Sequence, residues 1–152
     1  MEPIIIMLGW VGIYGPMALG SIGSIIGCAK AGQAACGALL DTDSGYARFI
    51  GVSAMPSSQS IYGIVVMFSL NRPVNATNGP GLFAIGFLAG LALLWSGICQ
   101  GDACASAINV SKAKPQIFGL SIAPAAIVEG FAVFAFIFAL VISAGLPGGG
   151  AQ

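Results

Sequence analysis

Charged residues in this chain stand too far apart for it to surround itself with water. Pro3 to Ala29 is an uncharged run of 27 residues, Phe49 to Asn71 one of 23, and Pro73 to Gly101 one of 29. Pro115 to Gln152 adds 38, interrupted once, by Glu129. A helix crosses the hydrocarbon of a bilayer with about 20 apolar residues, so four runs predict four membrane-spanning helices and little else. Composition agrees: 57% of the 152 residues are hydrophobic and 7% charged, against roughly 25% charged in an ordinary soluble domain. A soluble enzyme, a nucleic-acid binder and a sizeable extramembrane domain are excluded, and a net charge of zero leaves no basic patch for phosphate.

Turn-forming clusters place the helices at about 4–39, 47–70, 80–111 and 117–145. Asp41 to Gly45 forms the first turn, Asn71 to Pro80 the second, and Lys112-Ala113-Lys114-Pro115 the third. The start, Met1-Glu2-Pro3, lacks the positive region of a signal peptide, so the first apolar segment is expected to remain. Lys30, Arg48, Lys112 and Lys114 lie toward the first and third turns, and Arg72 alone toward the other side. The excess of positive charge predicts that turns 41–46 and 112–116 are cytoplasmic and both termini lie opposite. Cys28, Cys36, Cys99 and Cys104 form no Cys-x-x-Cys pair and read as small helix-packing residues.

The halves 1–75 and 76–152 read as two helical hairpins. A shift of 70 residues lays Gly20 on Gly90, Gly27 on Gly97 and Gln59 on Glu129. Because the first and third turns share a side, the repeats are parallel. Helices 1 and 3 are rich in glycine, including the pairs Gly86-xxx-Gly90 and Gly97-xxx-Gly101. Such pairs let helix backbones approach closely in lipid. They fit either ordinary packing within one bundle or a crowded inner wall built by many copies. Helix 4 is bulky beyond its midpoint, from Phe131 to Leu140, which suits a surface facing lipid or a large partner.

Glu129 falls near the middle of its helix, where a carboxylate costs at least ~2.5 kcal/mol to insert. Measured from the first and third turns, Gln59, Gln100 and Glu129 each lie ~16–18 Å deep at 1.5 Å per residue. Met55, Ser58, Gln59 and Tyr62 share one face of helix 2, and Pro56 loosens that helix by removing a donor. The Glu129 carboxylate, the Gln59 and Gln100 amide oxygens, the Ser58 hydroxyl and the Met55 carbonyl make an all-oxygen set suited to a hard cation. With one anion present, a monovalent ion suits it better than Ca²⁺ or Mg²⁺, and so many oxygens suit Na⁺ better than a bare proton. Tyr62 is placed to donate to Glu129 and fix its rotamer. The alternative for the two glutamines is plain interhelical hydrogen bonding. Sodium-loaded and protonated Glu129 are both neutral, which lets the site face lipid. Lys30 and Asp102, at similar depth, either pair between helices 1 and 3 or between copies, or face a polar inner space.

Four segments carry a resemblance: Gly27-Cys28-Ala29-Lys30, Met55-Pro56-Ser57-Ser58-Gln59-Ser60-Ile61-Tyr62-Gly63, Ser96-Gly97-Ile98-Cys99-Gln100-Gly101 and Val128-Glu129. The chain resembles the proteolipid of the rotor ring, the c/K type, of V-type and archaeal-type rotary ATPases. Its helix 2 is similar to the Leu-Pro-Gly-Thr-Gln-Gly-x-Tyr-Gly pattern of sodium-binding members, with Met55 at the Leu position and Ser58 at the Thr position. The resemblance implies that Glu129 carries the ion, that Met55, Ser58, Gln59 and Gln100 complete a Na⁺ shell with H⁺ as competitor, and that Tyr62 locks the carboxylate. It implies an all-α membrane protein of two fused parallel hairpins assembling into a closed ring. The implied partners are identical copies, a stator subunit with half-channels, the central stalk of a soluble ATPase head, and lipid. Pro124 and Asp102 fall outside the pattern, and Pro124 is expected to kink helix 4. The chain has no Gly-x-x-x-x-Gly-Lys-[Ser/Thr] loop and does no ATP chemistry itself. A small four-helix proton-coupled cation or drug exporter is the alternative reading.

Overall fold

The computed structural model describes residues 1–148. Four helical spans follow in order: α1 Glu2–Asp41, α2 Tyr46–Leu70, α3 Gly79–Ala113 and α4 Pro115–Ala144, each long and apolar enough to cross a membrane. No strand occurs among the described residues. The protein is an all-helical integral membrane protein of two fused hairpins.

Contacts at the two ends make the hairpins parallel. Lys112 at the end of α3 bonds to Asp41 at the end of α1 at 2.7 Å, which brings the two hairpin tips together. At the other end, Arg72 donates to the Leu146 carbonyl at 3.1 Å, and the Asn78 amide donates to the carbonyls of Pro73 and Pro147 at 2.9 and 3.4 Å.

In lipid, helices gain nothing from hydrophobic burial against one another and depend on close contact instead. Helices α1 and α3 make that contact through glycine. A β-carbon on Gly97 would sit 2.6 Å from the Gly23 carbonyl carbon, and one on Gly23 the same distance from the Leu94 oxygen. Pro16 contributes to the fit. Its ring lacks an N–H for the Gly12 carbonyl, and that carbonyl is where Gly86 approaches, so that a β-carbon there would overlap it. Helices α2 and α4 lie against this pair.

Two apolar clusters result. Toward the hairpin tips, Ala31, Ala35, Ala38, Phe49, Val52, Cys104, Ala107, Ile108 and Ala125 pack together. Toward the termini, Ile13, Val66, Leu70, Leu82, Ala89 and Ala139 form the second cluster. Between them, at mid-span, lies a layer of polar side chains.

Both outer helices break on the tip side of that layer. In α2, residues Met55–Ser57 tighten into a 3₁₀ turn. Pro56 cannot donate to Val52, so the Met55 N–H takes the Val52 carbonyl instead. In α4, the helix is interrupted at Ile122, and the segment Ala123–Ala144 restarts with Pro124 in its first turn. The expected kink is a local interruption, and proline is tolerated there because a first turn needs no donor.

Candidate ion-binding site

The 3₁₀ turn of α2 sets up the polar layer. It ends with the Ser58 N–H bonded to the Met55 carbonyl, and the Ser58 hydroxyl lies 3.1 Å from the same carbonyl and 3.3 Å from Gln59 Oε1. Gln59, one residue on, is fully buried. Gly20 of α1 makes room for it: a β-carbon there would stand 2.6 Å from the Gln59 carbonyl oxygen. The Ser60 N–H donates to Ser24 Oγ at 3.0 Å, tying α2 to α1 just below.

From Gln59 a chain of donors runs to the acid. Gln59 Nε2 donates to Gln100 Oε1 at 3.0 Å. Gln100, also fully buried, turns its Nε2 to Glu129 Oε2 at 3.0 Å and to the Ala125 carbonyl at 3.3 Å. The other carboxylate oxygen, Oε1, accepts the Tyr62 hydroxyl at 2.9 Å. The Tyr62 ring is stacked on Phe136 of α4 with centroids 5.2 Å apart, which holds the hydroxyl in place. Side chains from α2, α3 and α4 thus meet at Glu129, which stays partly exposed on the surface of the single chain. Each carboxylate oxygen accepts one hydrogen bond, the arrangement an ionised carboxylate favours.

All six residues singled out from the sequence lie in this layer. Tyr62 and Gln100 touch Glu129 directly. Gln59 reaches it through Gln100, and Ser58 and the Met55 carbonyl reach it through Gln59. The arrangement differs from the expected oxygen shell in one respect. Gln100 presents its NH₂ to the carboxylate and gives its oxygen to Gln59, so the amides form a relay here. No cluster of three or more His, Cys, Asp or Glu occurs among the described residues.

Ser96 went unassigned in the sequence. Its Oγ takes a bond from Gln59 Nε2 at 3.4 Å and lies 3.3 Å from the Val128 carbonyl, next to Glu129. Its position four residues before Gln100, on the same helix face, is the signal that would have found it. Lys30 and Asp102 form an ion pair at 2.9 Å within the chain. The four cysteines are free thiols; Cys104 is buried and 3.9 Å from the Met55 sulfur, whereas Cys36 and Cys99 are exposed.

A bundle of two fused parallel hairpins, joined by glycine-lined inner helices and bearing one mid-span carboxylate, defines a duplicated membrane proteolipid. The C-subunit family of ATP synthases matches the chain twice, over residues 11–70 and 83–142, and the chain belongs to that family. It is 33% identical over 143 residues to the A-type ATP synthase subunit K of Methanocaldococcus jannaschii, an alignment covering 88% of this chain. It spans 62% of that relative's length. It is 28% identical over 129 residues to the V-type sodium ATPase subunit K of Enterococcus hirae, covering 81% of this chain and 83% of the relative.

Proposed function

We propose that this chain is an ion-carrying subunit of a membrane rotor ring in a rotary ATPase of the A or V type, with Glu129 as the carrier and Na⁺ as its preferred cargo. The observation that carries the reading is the convergence of Tyr62, Gln100 and, through it, Gln59 on a single mid-span carboxylate. The relatives named as subunits K of an A-type ATP synthase and a V-type sodium ATPase support it.

The chemistry follows from charge. An ionised Glu129 holding one Na⁺ is neutral and crosses a lipid-facing arc at far lower cost than the bare carboxylate. The Ser58 hydroxyl, the Gln59 Oε1 and the Met55 carbonyl lie within one hydrogen-bond step of one another and would replace water around the ion. Loading would also turn over the Gln100 amide, because a cation at Oε2 repels NH₂ and attracts Oε1. Tyr62 would keep its bond to Oε1 throughout, holding the carboxylate in the closed rotamer. Release requires a competing positive charge, which a stator subunit would supply as the ring turns. Identical copies would complete the ring, with the tips at 41–46 and 112–116 on the cytoplasmic side, facing the stalk of a soluble ATPase head. A proton competes for the same carboxylate.

The test is reaction with a hydrophobic carbodiimide in native membranes. Glu129 is expected to be the residue labelled, and added Na⁺ at fixed pH and ionic strength to slow the reaction where K⁺ does not. Labelling indifferent to Na⁺ across neutral and alkaline pH would refute the sodium assignment, and absence of labelling at Glu129 would refute the carrier itself.

A further inference from the structure

Arg48 and Arg72 stand near opposite ends of α2, and the fold serves only one of them. The Arg72 guanidinium donates to the carbonyls of Leu146 and Ser69 at 3.1 and 2.8 Å. Arg48 has nothing comparable. Its Nε is buried without a hydrogen-bond partner, the one such side-chain atom among the described residues. The ion pairs among the described residues, Lys30–Asp102 and Lys112–Asp41, leave it no carboxylate. Buried polar groups in native proteins are nearly always partnered, so a charged one left over marks a place the chain itself does not complete.

The guanidinium is nonetheless held in one position. Its central carbon lies 5.1 Å from the ring centroid of Phe49 in α2 and 5.8 Å from that of Phe118 in α4, close enough for a cation–π attraction to each. Gly45, with φ 80°, leaves room on another side: a β-carbon there would stand 2.7 Å from Nε and 2.8 Å from Nη2. Depth then says what surrounds it. Arg48 stands 11 residues before Gln59, and Phe118 11 before Glu129. At 1.5 Å per residue both lie ~16 Å from the mid-span layer, and the hydrocarbon of a bilayer ends ~15 Å from its middle. The guanidinium is therefore at the level of phospholipid headgroups. It sits between two helices that present Ile50, Ile61, Leu120 and Ile127 as exposed apolar side chains. Tyr46 is exposed at the same end, the place tyrosine takes at a membrane surface. Lys114, four residues before Phe118, is exposed and adds a second cation without a carboxylate.

We propose that Arg48, backed by Lys114, binds the phosphate of an anionic phospholipid from the leaflet at the hairpin tips. Arginine suits the role because its planar fork meets two phosphate oxygens at once, and the two rings and Gly45 fix that fork beforehand. The acyl chains of a lipid held there run along the cleft between α2 and α4, toward Glu129. Such a site asks only for the membrane fold and is independent of ion carriage.

The test is lipid binding to the full complex, purified in detergent, stripped of bound lipid and titrated with phosphatidylglycerol or phosphatidylcholine. Bound lipid is counted by native mass spectrometry of the ring released from the complex. The parent is expected to bind phosphatidylglycerol about tenfold more tightly, and Arg48→Gln to lose that preference; tenfold is the low end for hydrogen bonds to a charged group. Arg48→Lys, which keeps the charge and loses the fork, is expected to fall between. Lys114→Gln, at an exposed position, is expected to weaken phosphatidylglycerol binding about fivefold. Equal binding of the two lipids by the parent overturns the site, and so does Lys114→Gln without effect where Arg48→Gln fails to assemble. Displacement of the lipid by inorganic phosphate at comparable concentration would make the fork a site for a free anion and overturn the lipid assignment. If Arg48→Gln leaves lipid binding unchanged but lowers ring yield or loosens the soluble part of the complex, Arg48 pairs with a protein carboxylate and the inference is overturned.

Discussion

Replacing Tyr62 by Phe removes one oxygen and leaves the rest of the site standing. The ring keeps its stack on Phe136, 5.2 Å away and tilted by 26°, so packing between α2 and α4 is unchanged. What disappears is the 2.9 Å bond to Glu129 Oε1. A hydrogen bond to a charged group contributes about 1.5–3 kcal/mol. Glu129 is partly exposed in the single chain, and water can refill part of the vacancy, which favours the lower end. A loss of ~1.4 kcal/mol corresponds to about tenfold in an equilibrium constant. The Na⁺ concentration giving half-protection of Glu129 against carbodiimide should therefore rise about tenfold in Tyr62→Phe, with the fold and the amount of ring unaltered. Phe136→Leu is the matching control: it disturbs the stack, keeps the hydroxyl, and should move half-protection less. Half-protection unchanged in Tyr62→Phe would show that the hydroxyl does not hold the carboxylate for the ion, and would undo the argument for a locked site.

Glu129→Gln is expected to abolish both carbodiimide labelling and ATP-driven ion uptake into vesicles while the protein still inserts and assembles, because an amide keeps the shape and loses the charge. Ser58→Ala should raise the half-protecting Na⁺ concentration with no change in the labelling rate at zero Na⁺; a parallel change in both would mean that the hydroxyl only positions the helix. Gly86→Ala should destabilise the protein by the ~1–3 kcal/mol typical of overpacking or more, read as a lower thermal midpoint in detergent, because its β-carbon meets the Gly12 backbone; Gly51→Ala, with nothing within 4 Å, should not. Lys112→Ala removes an exposed pair at 2.7 Å and should cost less than ~1 kcal/mol, an effect that shrinks with added salt.

The fold was legible because it follows from arithmetic on uncharged runs and from where glycine and proline fall. The helices extend one to two residues beyond most expected ends, as capping side chains are scarce and terminal turns continue until a proline or polar cluster stops them. The membership of the polar layer was legible for a related reason. Depth along a helix can be counted, so Gln59, Gln100 and Glu129 could be put on one level from residue numbers alone. The direction of the amides could not be counted. Whether Gln100 offers its oxygen or its NH₂ to Glu129 depends on what else competes for each end, and Gln59 Nε2 and the Ala125 carbonyl supply that competition from two other helices. Ser96 was hidden for the opposite reason: serine in a membrane helix usually satisfies itself on its own turn, and only the nearness of Val128 gives this one a partner on α4.

The two halves of the chain are related in pattern but unequal in chemistry, and burial explains why the acid belongs to the second. Gln59 and Glu129 occupy matching places 70 residues apart. Gln59 is sealed among α1, α2 and α3, with no exposed surface, and Gly20 closes it off from behind. A carboxylate enclosed there would have neither water nor a fixed cation beside it, and an uncompensated buried charge is among the most destabilising features a protein can carry. An amide at that place can donate to Gln100 and Ser96 and accept from Ser58 without any charge to neutralise. Glu129 lies at the open edge of the same layer, where under the proposed function an ion would arrive and leave. An enclosed position thus suits the ligand that orients, and a half-open one the ligand that exchanges. One carboxylate for every four helices follows from that division, and under the proposed function it would set the ion load of each copy in a ring.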